Sequence, residues 1–199
     1  MKPTVIVALM AIILSAGCTR REQAESSSAA LVAAEAANKV APRPVVLYFG
    51  GPSGLLVPET RTLPLPESDA AAAGAIAEAV IEGSANAGVP RLFPPDATVR
   101  AAWVLPEGTA VVDLGGPTLE EGWSTGSTLE IMAAYSLVQT LAANLPEVKR
   151  VRILIGGEQA ETLGGHLDLG RPFHPRPSLV EGTGGSAQAA NSPSPPSGE

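Results

Sequence analysis

Two periods of hydrophobic and polar residues alternate along this chain, and the switches between them outline its elements. "VVLYFG" reads as a strand, "GPSG" as a turn, and "LLVPETRTLPL" as a second strand whose Pro58 confines it to a sheet edge or a bulge. The period then lengthens in "PESDAAAAGAIAEAVIEGS", where Ala73, Ile76, Ala77 and Val80 share a helix face, Ser68 stands at the N-cap and Gly83 ends the run. A proline-rich loop, "NAGVPRLFPPDAT", leads to "VRAAWVLPEGTAVVDLGG". There Val99, Ala101, Trp103 and Leu105 alternate with Arg100 and Ala102 on either side of a strand, and "PEG" supplies the turn of a hairpin.

The strongest helical period lies in "STLEIMAAYSLVQTLAANL", with Ile131, Ala134, Tyr135, Val138, Leu141, Ala142 and Leu145 in one stripe. Ser127 and Glu130 have the spacing of a capping box at its start. "KRVRILIGG" closes the series as a strand with Val151, Ile153 and Ile155 on one face and Arg150 and Arg152 on the other. The predicted order is β-β-α-β-β-α-β, with room for a short last strand in "HLDL". Two one-sided helices and strands with one charged face predict an α+β fold, with both helices packed on one face of a mostly antiparallel sheet. The central hairpin breaks the alternation that a doubly wound fold needs.

These elements occupy residues 44–177, a single domain. Before them, residues 18–43 are polar and alanine-rich and read as a flexible tether. After them, residues 178–199 are a low-complexity tail whose composition predicts disorder. Residues 1–17 read as a signal peptide: Lys2, an apolar run over 5–14, then "LSAGC". That run is shorter than the roughly 20 residues of a membrane span. Its end resembles a lipobox, which makes Cys18 the expected lipid-attachment residue. Thr19 follows it where inner-membrane retention is associated with aspartate, which points to an outer membrane facing the periplasm if two membranes are present.

Charge and cysteine count narrow the function classes. The net charge is −7 and no basic run is present outside the N-terminus, which argues against nucleic acid as a partner. One cysteine leaves no intramolecular disulfide and no cysteine-based zinc site. Candidate chemistry is confined to "ETLGGHLDLGRPF". A hydrolytic reading makes His166 the base, Asp168 its orienting carboxylate and Ser124 or Ser127 the nucleophile, but no G-x-S-x-G elbow is present and strand parity turns His166 and Asp168 to solvent. A metal reading combines His166, Asp168 and His174 without a helical ligand spacing. The favoured reading is structural: Gly164 and Gly165 permit a tight turn or close approach, and Thr162, His166 or Asp168 bonds local backbone, so the segment latches the fold. Neither a catalytic residue nor a cofactor is expected.

"VVLYFGGPSGLLVPETRTLPL", "TAVVDLGG" and "VKRVRILIGGEQAETLGGHLDLGRP" together resemble the sporulation and spore-germination domain known as GerMN, over about residues 44–174. The resemblance implies an extracytoplasmic module, often carried on a lipoprotein, related in fold to ring-building motifs of envelope assemblies and without an established catalytic activity. In spore formers such domains support assembly of a complex between two membranes. The expectation is therefore a non-enzymatic envelope lipoprotein that makes protein–protein contacts, as a homo-oligomer or with another envelope protein. An envelope hydrolase or cell-wall-binding module using the region of His166 and Asp168 is the alternative. Parity places Arg100, Arg150 and Arg152, with Val104 and Leu154 between them, on the sheet face away from the helices, the candidate partner surface. The proline-rich loop around Phe93 is the other candidate.

Overall fold

Strand β1 (Val40–Gly50) folds back on β2 (Leu56–Pro66) as an antiparallel hairpin in a computed structural model that describes residues 39–182. Helix α1 (Asp69–Glu82) follows, then β3 (Thr98–Val104) and β4 (Thr109–Gly115), a short helix α2 (Pro117–Glu120), the long helix α3 (Ser127–Asn144), β5 (Arg150–Ile155) and a single 3-10 turn (Pro177–Leu179). Cys18, the signal segment, most of the expected tether and the end of the tail lie outside the described residues.

The fold is α+β and the predicted order holds, with α2 as an addition. The strands divide between two sheets: β1–β2, and β3–β4–β5. Two of the three pairings are antiparallel, and β4 and β5 run parallel because α2 and α3 cross over between them. Among the described residues the hairpin joins no further strand, and helix α3 occupies the outer edge of β1. Asn144 Oδ1 accepts from Val46 N at 2.9 Å and its Nδ2 donates to Val46 O at 2.8 Å. Thr140 Oγ1 accepts from Tyr48 N at 3.0 Å, and Ser136 Oγ donates to Tyr48 O. Three side chains four residues apart on one helix thus take the place of a neighbouring strand.

The outward-facing peptide groups of β1 are therefore those of even-numbered residues, and the ladder register makes the same true of β2. Pro58, Pro64 and Pro66 stand at outward positions of β2, where a missing N–H costs no ladder bond and blunts an edge that could recruit another strand.

Both domain limits move outward from the sequence expectation. Residues 40–43, expected in the tether, are strand: Val40 pairs with Pro66 and Arg43 with Leu63. At the other end, Val180 is buried and bridges Leu56, and Glu181 N donates to Leu56 O at 2.8 Å. The domain closes past residue 177.

Helix α1 buries Ala72, Ala73, Ile76, Ala77 and Val80 against β3 and the hairpin, as its period predicts. Alanine buries little area per residue but lets backbones approach, so the alanine-rich sequence yields a thin, close layer. Helix α3 departs from its predicted single stripe. From Glu130 to Leu141 every residue except Ile131 is buried, because β1 lies on one side of the helix and β5 on another. Leu137, Leu141, Leu114, Ile153, Leu47 and Leu169 are all fully buried between these layers.

Strand β3 carries the clearest correction of parity. A β-bulge between Val99 and Ala101 shifts the register, so Ala102 and Val104 pack towards the core while Trp103 and Leu105 are 45% and 38% exposed. An extra residue reverses the face of every side chain after it. Phe93 is corrected as well: it is 2% exposed and stacks on Trp123, so its loop offers no exposed aromatic anchor.

Candidate functional site

The closing segment after β5 is built around one carboxylate, that of Glu130 on helix α3. Glu130 makes no capping box. The helix begins at Ser127 with Gly126 as N-cap and no side-chain cap, and Glu130, four residues in, turns its side chain away from the helix start. It is fully buried, and its oxygens accept from His166 N at 3.1 and 3.2 Å, from Leu167 N at 2.8 Å and pair with His166 Nδ1 at 2.6 Å. Burial alone would raise its pKa. The N–H of Leu167, the imidazole of His166 and the N–H groups of His166 and Gly164 outweigh burial and hold the carboxyl below its ordinary value.

Both glycines of "GGH" are required by this arrangement. A Cβ on Gly164 would lie 2.5 Å from Trp123 O and 3.0 Å from Glu130 Oε1, so only glycine lets the backbone approach. Gly165 has φ +106, a region that side chains with a Cβ avoid, with its N–H donating to Thr162 Oγ1 at 3.0 Å. Thr162 and Asp168 form an isolated antiparallel bridge, and Leu169 N donates to Glu161 O. The short last strand anticipated in "HLDL" is reduced to this bridge.

Among the described residues no hydrogen bond joins the members of the hydrolytic reading, although Ser124 lines the cavity beside Gly164 and Gly165. Asp168, expected behind His166, instead accepts from Gly170 N at 2.7 Å, and Glu130 takes the place beside the imidazole. A carboxylate–imidazole pair supplies two members of a triad, but among the described residues no hydroxyl is hydrogen-bonded to His166. A cavity of about 740 Å³ lies between the α2 turn and the closing segment, lined by Glu120, Trp123, Gly156, Thr162 and Gly165, with neither His166 nor Asp168 in its wall. Asp168 and His174 line a different cavity, again without His166. Among the described residues no three His, Cys, Asp or Glu side chains converge as metal ligands.

A second clamp, also unread in the sequence, ties the segment beyond the latch to α3. Gln139 exchanges two hydrogen bonds with the backbone of Arg176, at 3.0 and 3.2 Å. The Arg176 guanidinium lies 5.0 Å from the Tyr135 ring centroid, and Phe173 meets the same ring edge-on. Burial raises the Tyr135 pKa, with Arg176 opposing it. Phe173 and Val151 exchange backbone bonds at 2.7 and 2.8 Å, which seals the outer edge of β5.

The remaining candidate is the face of the three-stranded sheet opposite the helices. Register sets Trp103, Val111 and Arg152 side by side, with Ala101, Asp113 and Leu154 in the next row. Leu154 lies on this face as expected; Val104 does not. The three arginines differ. Arg100 Nε lies 3.3 Å from Asp113 Oδ2 and its Nη1 3.4 Å from Glu120 Oε1, so its charge is met within the fold. Arg150 Nε donates to Thr109 Oγ1 at 2.8 Å and Arg152 Nη1 to Gln159 Oε1 at 2.6 Å, both neutral acceptors.

Comparison with known proteins is consistent with this architecture. The Germane family model, described as sporulation and spore germination, matches residues 46–161. No curated protein matches the chain. The first GerMN domain of the sporulation protein GerM from Bacillus subtilis superposes with a TM-score of 0.52 at 22% identity, covering 67% of this chain and 98% of that one. The tandem GerMN domains of the same protein give a TM-score of 0.52 at 19% identity, over 70% of this chain and 47% of that one, so this chain spans about half of the tandem structure. At these identities the likeness is one of fold.

Proposed function

The chain belongs to the Germane family of sporulation and spore germination domains, and on that premise we propose that it is a non-enzymatic lipoprotein of the cell envelope whose single GerMN domain makes protein–protein contacts outside the cytoplasm. Cys18 is the residue that carries the lipid in this reading, and the stretch between it and Val40 gives the domain its reach from the membrane. The observation that carries the contact role is the open face of the β3–β4–β5 sheet. Among the described residues three large hydrophobic side chains are exposed, and two of them, Trp103 and Leu105, are on the outward side of β3 beyond the bulge. Tryptophan and arginine together on one face are the composition of interface anchors.

The latch supports the same reading. The Glu130 carboxylate is spent on holding backbone and on pairing the His166 imidazole, and it sits where it orders a chain reversal. Chemical cross-linking of intact cells followed by recovery of the full chain tests the proposal. The native protein should yield adducts with an envelope protein or with a second copy of itself, and a chain with Arg150→Glu and Arg152→Glu should lose them while remaining folded, checked by its circular dichroism and a cooperative melt. Adducts of equal yield from the charge-reversed chain would remove this face from the account.

A further inference from the structure

Resting on that contact reading, we propose that the groove between the β4–β5 strands and the segment returning past them receives an extended, carboxylate-rich segment of the partner protein. The groove measures about 620 Å³, and Thr109, Val111, Arg150, Arg152 and Arg171 are among its lining residues. On a chain of net charge −7 this is a local reversal of sign: Glu107 is the only carboxylate among the lining residues, against three guanidiniums. Among the described residues no carboxylate lies within ion-pair distance of Arg150, Arg152 or Arg171, in contrast to Arg100 beside Asp113 and Glu120. Thr109 and Gln159 hold the first two guanidiniums through one nitrogen each, which orients the planar forks and leaves their other donors for a ligand.

Spacing and shape identify the ligand class. Arg150 and Arg152 are two apart on one strand, so their Cα atoms lie roughly 6.5 Å apart, the separation of alternate residues in any extended chain. A segment with acidic residues at every second position matches that repeat. Its intervening side chains fall towards Leu105 and Trp103, which lie across β4 from the arginines on the same face. The site is concave and both strand arginines are half-buried, which suits a narrow polypeptide and not a flat anionic bilayer.

Fluorescence anisotropy of the full chain with a short labelled peptide alternating Glu and Val tests the assignment. The expected result is binding that weakens with salt, that is absent for the matching Gln–Val peptide, and that falls by about tenfold or more in Arg150→Gln/Arg152→Gln. Arg171→Gln, outside the strands, weakens it in the same direction and serves as the second variant. Absence of binding, equal binding of both peptides, or binding only to phosphatidylglycerol vesicles would overturn the assignment, the last in favour of a membrane surface. In intact cells, adducts that persist in Arg150→Gln/Arg152→Gln sink the groove while the contact role stands. Absence of adducts from the native chain sinks the contact role itself.

Discussion

The carboxylate of Glu130 meets peptide N–H groups from a segment 36 and 37 residues downstream, so one side chain fixes the path of the chain after its last strand. Replacing it by glutamine keeps the shape and removes the charge, and leaves a donor facing donors. Glu130→Gln should cost about 1–3 kcal/mol, the penalty of buried groups left unpaired, measured by denaturant unfolding. The pH dependence follows from the depressed pKa. The unfolded chain takes up a proton on Glu130 more readily than the folded one, so this contribution is complete above the ordinary carboxylate range and is lost as pH falls through the lower folded value. The melting temperature of the native protein should therefore fall more steeply on acidification than that of Glu130→Gln. Little of this was legible in the sequence. Gly164 and Gly165 signal a constrained turn, but Glu130 stands three residues after Ser127 and reads as a local cap, and no local pattern points to its distant donors.

Helix α3 shows how an element can be recognised while its role is misread. Its length and apolar period are plain, yet Ser136, Thr140 and Asn144 fall on one line of the helix outside the predicted stripe. In the fold they satisfy the outward edge of β1, and Ser136 and Thr140 are themselves fully buried. Thr140→Val keeps the volume and removes the acceptor of Tyr48 N. The expected loss is again about 1–3 kcal/mol, accompanied by faster hydrogen exchange at the Tyr48 amide. An unchanged Tyr48 protection factor would show that the helix does not stand in for a strand. Strand β3 gives the complementary case. Its alternation correctly marks a strand, but the bulge beside Arg100 has no residue signature, so every facing predicted beyond it was reversed and Trp103 was assigned to the core side.

For the whole molecule, the order of elements was enough to derive an α+β domain with two principal helices, because each hairpin and helix carries its own period. Whether the strands form one sheet or two is decided by polar side chains on α3, and periodicity does not register that choice. The limits of the domain moved for a related reason: residues 40–43 and Val180 have unremarkable sequences and are ordered by partners far along the chain. At this scale the proposed anchor also has a consequence. Cys18→Ala should leave the full-length precursor uncleaved and without lipid, read by mass spectrometry and cell fractionation, whereas a normally processed, membrane-recovered variant contradicts the lipoprotein assignment. The central claim is that the domain works through the open face of its three-stranded sheet. Its most direct test is a photo-reactive amino acid placed singly at Trp103, on that face, and at Glu78, exposed on helix α1, in the full chain within intact cells. Position 103 should give a discrete protein adduct and position 78 none; adducts from position 78 alone, or from neither position, would rule this face out as the working surface.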